Sequence, residues 1–233
     1  MGPIERVAVI GAGNMGSGIT QKSAQEGFAV QMVDREDGFV QRGMETINGF
    51  LDEAIQRRIF SEEKVEGIIS NISVGIGVDS IHEDTDLVIE AAFEDIDVKS
   101  SVLNDLASSC NRETIIATNT SSLSVEDLAT LSDRPDRFIG LHFFYHPAKN
   151  RLVEIIPSSR TSSETIQSVI QYCGAMGKVV ILCKDRPGFV VNRFFVPWLN
   201  EACKLLDEGV LGRPQRSIMS RRIASILEWG PLN

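Results

Sequence analysis

The sequence predicts a doubly wound α/β fold with a mostly parallel sheet, followed by the start of an all-helical second domain. Three observations predict it. Apolar runs of strand length alternate with helical stretches up to about residue 185. The strands are not joined by the two-residue turns of antiparallel hairpins, so a parallel sheet covered on both faces is expected. After "RPG" at 186–188 no strand signal returns. The expected division is residues 1–186 for the sheet domain and 187–233 for a partial helical domain.

The elements follow in order. "RVAVIG" is a continuous apolar strand ending in glycine, and "MGSGITQKSAQEG" reads as a helix closed by Gly27. "FAVQMVD" is the second strand. Two helices are expected between 36 and 69. Val40, Met44, Ile47, Leu51 and Ile55 line one face, and "SEEK" at 61–64 marks a capped restart. "DLVIEAA" is a buried strand, 97–109 a helix, "TIIATNTS" a strand running into a polar turn and "SVEDL" a short helix. "RFIGLHFF" and "RLVEIIP" are successive strands, "SETIQSVIQYCGAMG" is a helix and "KVVILCKD" the last strand. "FVVNRFFVPWLNEACKLLDEG" is a long helical pattern, with a further helix expected over 213–228.

Bulk properties narrow the function. At 233 residues the chain can bury a sizeable core. The net charge of −9 argues against a nucleic-acid surface or a polybasic membrane patch, while leaving room for a local basic cluster. Its 4 cysteines form no CxxC and its 3 histidines complete no zinc pattern, so reduced thiols and no metal are expected. No apolar run approaches the roughly 20 residues that span a bilayer. The start "MGPIERVAVIG" enters a strand without a signal peptide's apolar region. A cytoplasmic protein is expected, or an organelle-matrix one if a transit segment has been removed.

"GAGNMG" places Gly11, Gly13 and Gly16 between a predicted strand and a predicted helix, with Asn14 and Met15 among them. Gly11 allows the tight turn, Gly13 close backbone approach to a pyrophosphate, and Gly16 close packing of helix on strand. The helix N-terminus offers unpaired N–H groups and partial positive charge to the phosphates. Asp34 ends the second strand, placed for the adenosine ribose hydroxyls. The expectation is a Rossmann-type domain binding NAD. Asp34 disfavours a 2′-phosphate, although Arg35 beside it would suit one.

Four polar features sit in apolar surroundings downstream. "NTSSLS" (119–124) follows a buried strand, and Ser122 or Ser124 would cap the next helix. His142 lies in "GLHFF" and Glu154 in "RLVEII"; singly, each reads equally well as a satisfied core group. Asn192 in "PGFVVNRFF" would serve interhelical hydrogen bonding. Taken in order with the glycine-rich turn, "EAAFEDIDVK" and "KDRPGFVVNR", these motifs resemble the 3-hydroxyacyl-CoA dehydrogenases, including hydroxybutyryl-CoA dehydrogenases, over about residues 4–210.

The resemblance implies NAD-dependent oxidation of an (S)-3-hydroxyacyl-CoA to the 3-oxoacyl-CoA, in fatty-acid β-oxidation or hydroxybutyryl-CoA metabolism. It implies His142 as catalytic base with Glu154 orienting it, and Ser121 and Asn192 at the substrate's reacting oxygen or thioester. Glu94 and Lys99 fall where the family contacts the ribose and nicotinamide portion of NAD. A homodimer is implied where the helical domain is complete. Arg57 and Arg58 lie where relatives place basic residues for CoA. Tyr145-His146-Pro147 departs from the usual Asn-Pro, and His146 is a second candidate base. Only 41 residues follow Asn192 (233 − 192), and "ILEWGPLN" resembles a motif from inside the helical domain, which brings activity and dimer formation into question. Two other readings remain open, a dehydrogenase of a free hydroxy acid and a non-catalytic NAD-binding protein.

Overall fold

The computed structural model describes residues 2–210. The helix expected over 213–228 and the "ILEWGPLN" stretch lie outside the described residues. Eight strands form one sheet: β1 (Arg6–Ile10), β2 (Ala29–Asp34), β3 (Ile72–Ile76), β4 (Leu87–Glu90), β5 (Ile115–Thr118), β6 (Phe138–Phe143), β7 (Leu152–Pro157) and β8 (Val179–Leu182). Their spatial order is β3-β2-β1-β4-β5-β6-β7-β8. The helices are α1 (Asn14–Gln25), α2 (Asp37–Gln56), α3 (Glu62–Ser70), α4 (Ile96–Ser109), α5 (Val125–Leu131), α6 (Ser163–Ala175) and α7 (Val191–Asp207).

Strand periodicity explains why both faces are covered. In β1, Val7 and Val9 pack with Ile19 of α1, Ile47 and Leu51 of α2, Ile68 of α3 and Val169 of α6. The alternate residues Ala8 and Ile10 pack with Leu103 and Leu106 of α4 and Leu128 of α5. Successive side chains of a strand point to opposite faces, so an unbroken apolar run feeds two cores at once. At about 1.5–3 kcal/mol for each large aliphatic side chain buried, these two layers dominate the stability of the domain. The caps read from sequence are present: Ser61 accepts from Lys64 N at α3, and Ser124 from Asp127 N at α5.

The sheet is mostly parallel, as expected, and two of its details lie beyond what the sequence predicts. β3 was not foreseen, because it is an edge strand with Val74 and Ile76 half exposed and glycine at position 75, so neither an apolar run nor a clean alternation marks it. The pair β6–β7 is antiparallel, whereas every other pair in the sheet is parallel. Its connection, residues 144–151, is too short for a crossover helix, so the chain must turn back. Among the described residues all four cysteines are free, and no helix is long and apolar enough to cross a membrane.

Candidate active site and cofactor cradle

At the carboxyl end of β1, Gly11 and Gly16 take the structural roles their spacing suggests. Gly11 has φ +100°, and a Cβ there would come within 2.5 Å of the Ala91 carbonyl oxygen. A methyl on Gly16 would collide with the carbonyl of Gly11, so α1 packs this tightly on the turn only with glycine. Gly13, the N-cap of α1, has open space where its Cβ would be and makes no side-chain capping bond. Asn14 is exposed and Met15 partly buried beside it. The result is an uncapped helix N-terminus facing an open cradle, the geometry that receives a pyrophosphate.

Asp34 folds over this turn. Its Oδ2 accepts from Ala12 N at 2.7 Å and its Oδ1 from Arg35 N at 2.7 Å. The Arg35 side chain turns to Glu36 at 3.5 Å and lies over the Phe39 ring, so at this spot the carboxylate and not the guanidinium belongs to the turn. β1 sits between β2 and β4, the point of the sheet where the chain reverses its winding and where such folds open a ligand crevice. These residues fit an NAD molecule.

The antiparallel register sets His142 directly opposite Glu154. His142 Nδ1 and Glu154 Oε2 are 2.7 Å apart, with the histidine 6% exposed and the carboxylate 0%. The other oxygen, Oε1, accepts from Val190 N and Val191 N, both at 2.9 Å. Burial, the largest influence, raises the Glu154 pKa, but the hydrogen bonds from His142, Val191 and Val190 together carry it below the ordinary carboxylate value. With Glu154 ionised, Nδ1 is the donor, and Nε2 of the neutral ring is left as the acceptor. The Phe144 and Phe189 rings flank the imidazole at 4.4 and 5.8 Å between centroids.

Ser121 and Asn192 are brought together: Asn192 Nδ2 donates to the Ser121 carbonyl at 3.4 Å. The serine loop is held from below by Glu94, whose Oε1 accepts from Thr120 Oγ1 at 2.6 Å, Ser121 N at 2.8 Å and Ser122 Oγ at 2.9 Å. Burial pushes the Glu94 pKa up, yet the bonds from Thr120 and Ser121, the nearby Lys99 and the Ser122 hydroxyl outweigh it and bring the pKa to about 2.

Lys99 differs from the picture of an ammonium reaching the cofactor. It is 1% exposed and lies between Glu90, at 2.7 and 2.9 Å, and Glu94, at 3.2 Å. A buried ammonium is tolerable only when paired, and both carboxylates are needed to hold it. In this structure Lys99 therefore bears on the cleft through Glu94.

His146 is not equipped as a base. It is 5% exposed, its Nδ1 accepts from Ala148 N at 3.2 Å, and its ring packs on Phe50 at 4.3 Å. Burial first, then the charges of Lys149 and Lys178, lower its pKa to about 4. Tyr145 beside it is 43% exposed. Arg57 pairs with Glu53, and Arg58 adopts φ 58°.

Sequence reasoning passed over three residues that build this region. Glu90 ends β4 as Asp34 ends β2, an acid closing an apolar strand, so the signal was there. Asp185 Oδ2 accepts from Ser124 Oγ at 3.0 Å and Glu126 N at 2.9 Å, and Asn119 Oδ1 accepts from Phe143 N at 2.9 Å. Both lie inside motifs quoted above, "KDRPGFVVNR" and "NTSSLS", but their partners are distant in the chain, so the contacts themselves are not legible there. A cleft of about 420 Å³ at the opposite end of the sheet, lined by Glu83, Asp84, Asp86, Glu113 and Arg137 among others, contains none of the site residues.

Residues 6–186 match the family model "3-hydroxyacyl-CoA dehydrogenase, NAD binding domain", and residues 188–214 match "3-hydroxyacyl-CoA dehydrogenase, C-terminal domain". The mitochondrial hydroxyacyl-coenzyme A dehydrogenase of Sus scrofa is 37% identical over 211 residues, 88% of this chain and 67% of the relative. The 3-hydroxybutyryl-CoA dehydrogenase of Bradyrhizobium diazoefficiens is 37% identical over 229 residues, 98% of this chain and 78% of the relative. Among solved structures, (S)-3-hydroxybutyryl-CoA dehydrogenase from Ralstonia eutropha superposes with a TM-score of 0.86 at 39% identity, covering 91% of this chain and 75% of that one.

Proposed function

The chain belongs to the 3-hydroxyacyl-CoA dehydrogenase family and is an NAD-dependent oxidoreductase, and we propose that it oxidises (S)-3-hydroxyacyl-CoA to 3-oxoacyl-CoA with His142 as general base. The observation that carries the reading is the 2.7 Å contact between His142 Nδ1 and the buried Glu154 carboxylate. When bound, NAD supplies the hydride acceptor at its nicotinamide ring. His142 Nε2 takes the proton of the substrate's 3-hydroxyl, an exchange suited to an imidazole near neutral pH. Glu154 holds the tautomer that leaves Nε2 free and stabilises the imidazolium that forms. Ser121 and Asn192 present neutral donors to the substrate's oxygens, where they polarise the ketone in the reverse direction. Phe144 and Phe189 keep water from the ring, which strengthens these contacts.

The division of labour we propose has the NAD-binding unit run to residue 186 and a partial helical unit follow from 187; α7 in it exposes Phe194, Val196 and Trp198, which would lie in a homodimer interface where the helical domain is complete. Light scattering at micromolar concentration on a protein carrying the complete helical domain tests the assembly, and a monomer would refute it.

The activity is tested by the loss of NADH absorbance with acetoacetyl-CoA, against free acetoacetate in a parallel assay. Turnover of the CoA ester alone is expected. Preference for the free acid, or no turnover of either, would overturn the substrate assignment.

A further inference from the structure

Glu90 is the last residue of β4, paired in register with Ile10 of β1 and Thr118 of β5, and 1% exposed. It thus lies beneath the crevice, one strand from the glycine-rich turn, where a carboxylate has no water to solvate it. A charge so placed persists only if every oxygen is engaged. Oε1 accepts from Ala92 N at 2.8 Å and Lys99 Nζ at 2.7 Å, and Oε2 from Lys99 Nζ at 2.9 Å and Thr118 Oγ1 at 2.6 Å.

The contacts continue in one direction. Lys99, gripped by both oxygens of Glu90, meets Glu94 Oε2 at 3.2 Å. The second oxygen of Glu94 gathers Thr120 and Ser121. Of Glu90, Lys99 and Glu94, only Glu94 reaches the surface, its side chain 34% exposed. Nothing in the catalytic scheme uses a buried carboxylate at position 90, yet the structure spends four hydrogen bonds on it.

We propose that Glu90 is a positioning residue for the dehydrogenase reaction: through Lys99 it sets Glu94, and through Glu94 the loop that carries Ser121. The proposal rests on the activity inferred above. Two carboxylates share one ammonium, so the trio carries a net negative charge that is offered to the cleft only at Glu94. Glu90 fixes Lys99 in the interior, so the ammonium neither follows Glu94 outwards nor draws it in. Replacing Glu90 with an uncharged amide leaves Glu94 as the sole carboxylate of a buried ammonium, and Glu94 then turns from the serine loop towards Lys99.

The test is a double-mutant cycle over Glu90→Gln and Glu94→Gln, read by NADH affinity from fluorescence and by kcat/KM with acetoacetyl-CoA, with melting temperatures alongside. Each single variant is expected to weaken NADH by about tenfold, within the range of coupling between neighbours. The double variant is expected to match Glu94→Gln alone, because both changes cut the same series of contacts. Independent effects that multiply would overturn the proposal. So would a lower melting temperature in Glu90→Gln with unchanged NADH affinity, the mark of a purely structural carboxylate. If Glu90→Gln alone fails to fold because Lys99 is stranded, Glu90→Asp, which keeps the charge but shortens the reach to Lys99, takes its place in the cycle, and unchanged NADH affinity in it would overturn the proposal. NADH affinity is measured without turnover, so an inactive wild type would refute the proposed reaction while leaving the cycle decisive for Glu90.

Discussion

At the scale of single residues, two variants separate the parts of the dyad. His142→Gln should lower kcat by roughly 10²–10⁴, the usual worth of a general base, while NADH affinity stays unchanged; turnover near the wild-type rate would refute the assignment. Glu154→Gln is more informative. The carboxylate serves the Val190 and Val191 N–H groups with one oxygen and His142 with the other. A glutamine that keeps its oxygen on the backbone turns its NH₂ to Nδ1, which must then accept, and the ring proton moves to Nε2. A loss of kcat comparable to that of His142→Gln is expected, with circular dichroism showing α7 intact. Legibility at this scale follows residue setting. His142 and Glu154 stood out because a polar group in an apolar run demands a partner, while the pairing of Lys99 with Glu90 and Glu94 was not legible, because it is made across the turn before α4. His146 looked like a rival base in sequence and is a packed ring in the fold.

Among elements, the seam between the glycine-rich turn and α1 is the most exacting. Gly16→Ala would push α1 off Gly11, and titration calorimetry should show NADH affinity falling by tenfold or more as the helix N-terminus leaves the cradle. The junction of α5 with the approach to α7 is held by Asp185, which accepts from Ser124 and Glu126. Asp185→Ala should cost about 1 kcal/mol, the typical worth of a helix cap, seen as a shift of the denaturation midpoint. The buried strands and amphipathic helices were legible because each has a period. The edge strand β3 was not, since Gly75 and half-exposed Val74 and Ile76 break the alternation. The direction of β7 was not either, because periodicity carries no sign; only the short 144–151 connection holds that information.

For the molecule as a whole, stability should follow pH in part through two part-buried carboxylates of the site that are held low. Glu94 and Glu154 are lowered on folding from an ordinary value of 4.5, so each contributes stability that is complete above about pH 4.5. That contribution disappears as pH falls through the folded-state pKa, about 2 for Glu94. His146 adds a loss at milder acidity, because the unfolded chain binds its proton near pH 6.5 and the folded one near 4. Melting temperature should therefore decline from pH 6.5 towards 4 in the wild type, less steeply in His146→Phe; parallel curves would refute the His146 contribution. The antiparallel return of β7 has one more consequence. The cofactor cradle is collected from several separate crossings of the sheet, but the base and its carboxylate lie on one continuous hairpin, residues 138–157. The pair is thus carried by one short piece of chain, tied to the rest of the site by the Val190 and Val191 N–H groups on Glu154, and a circular permutant opened within 144–151 would divide it.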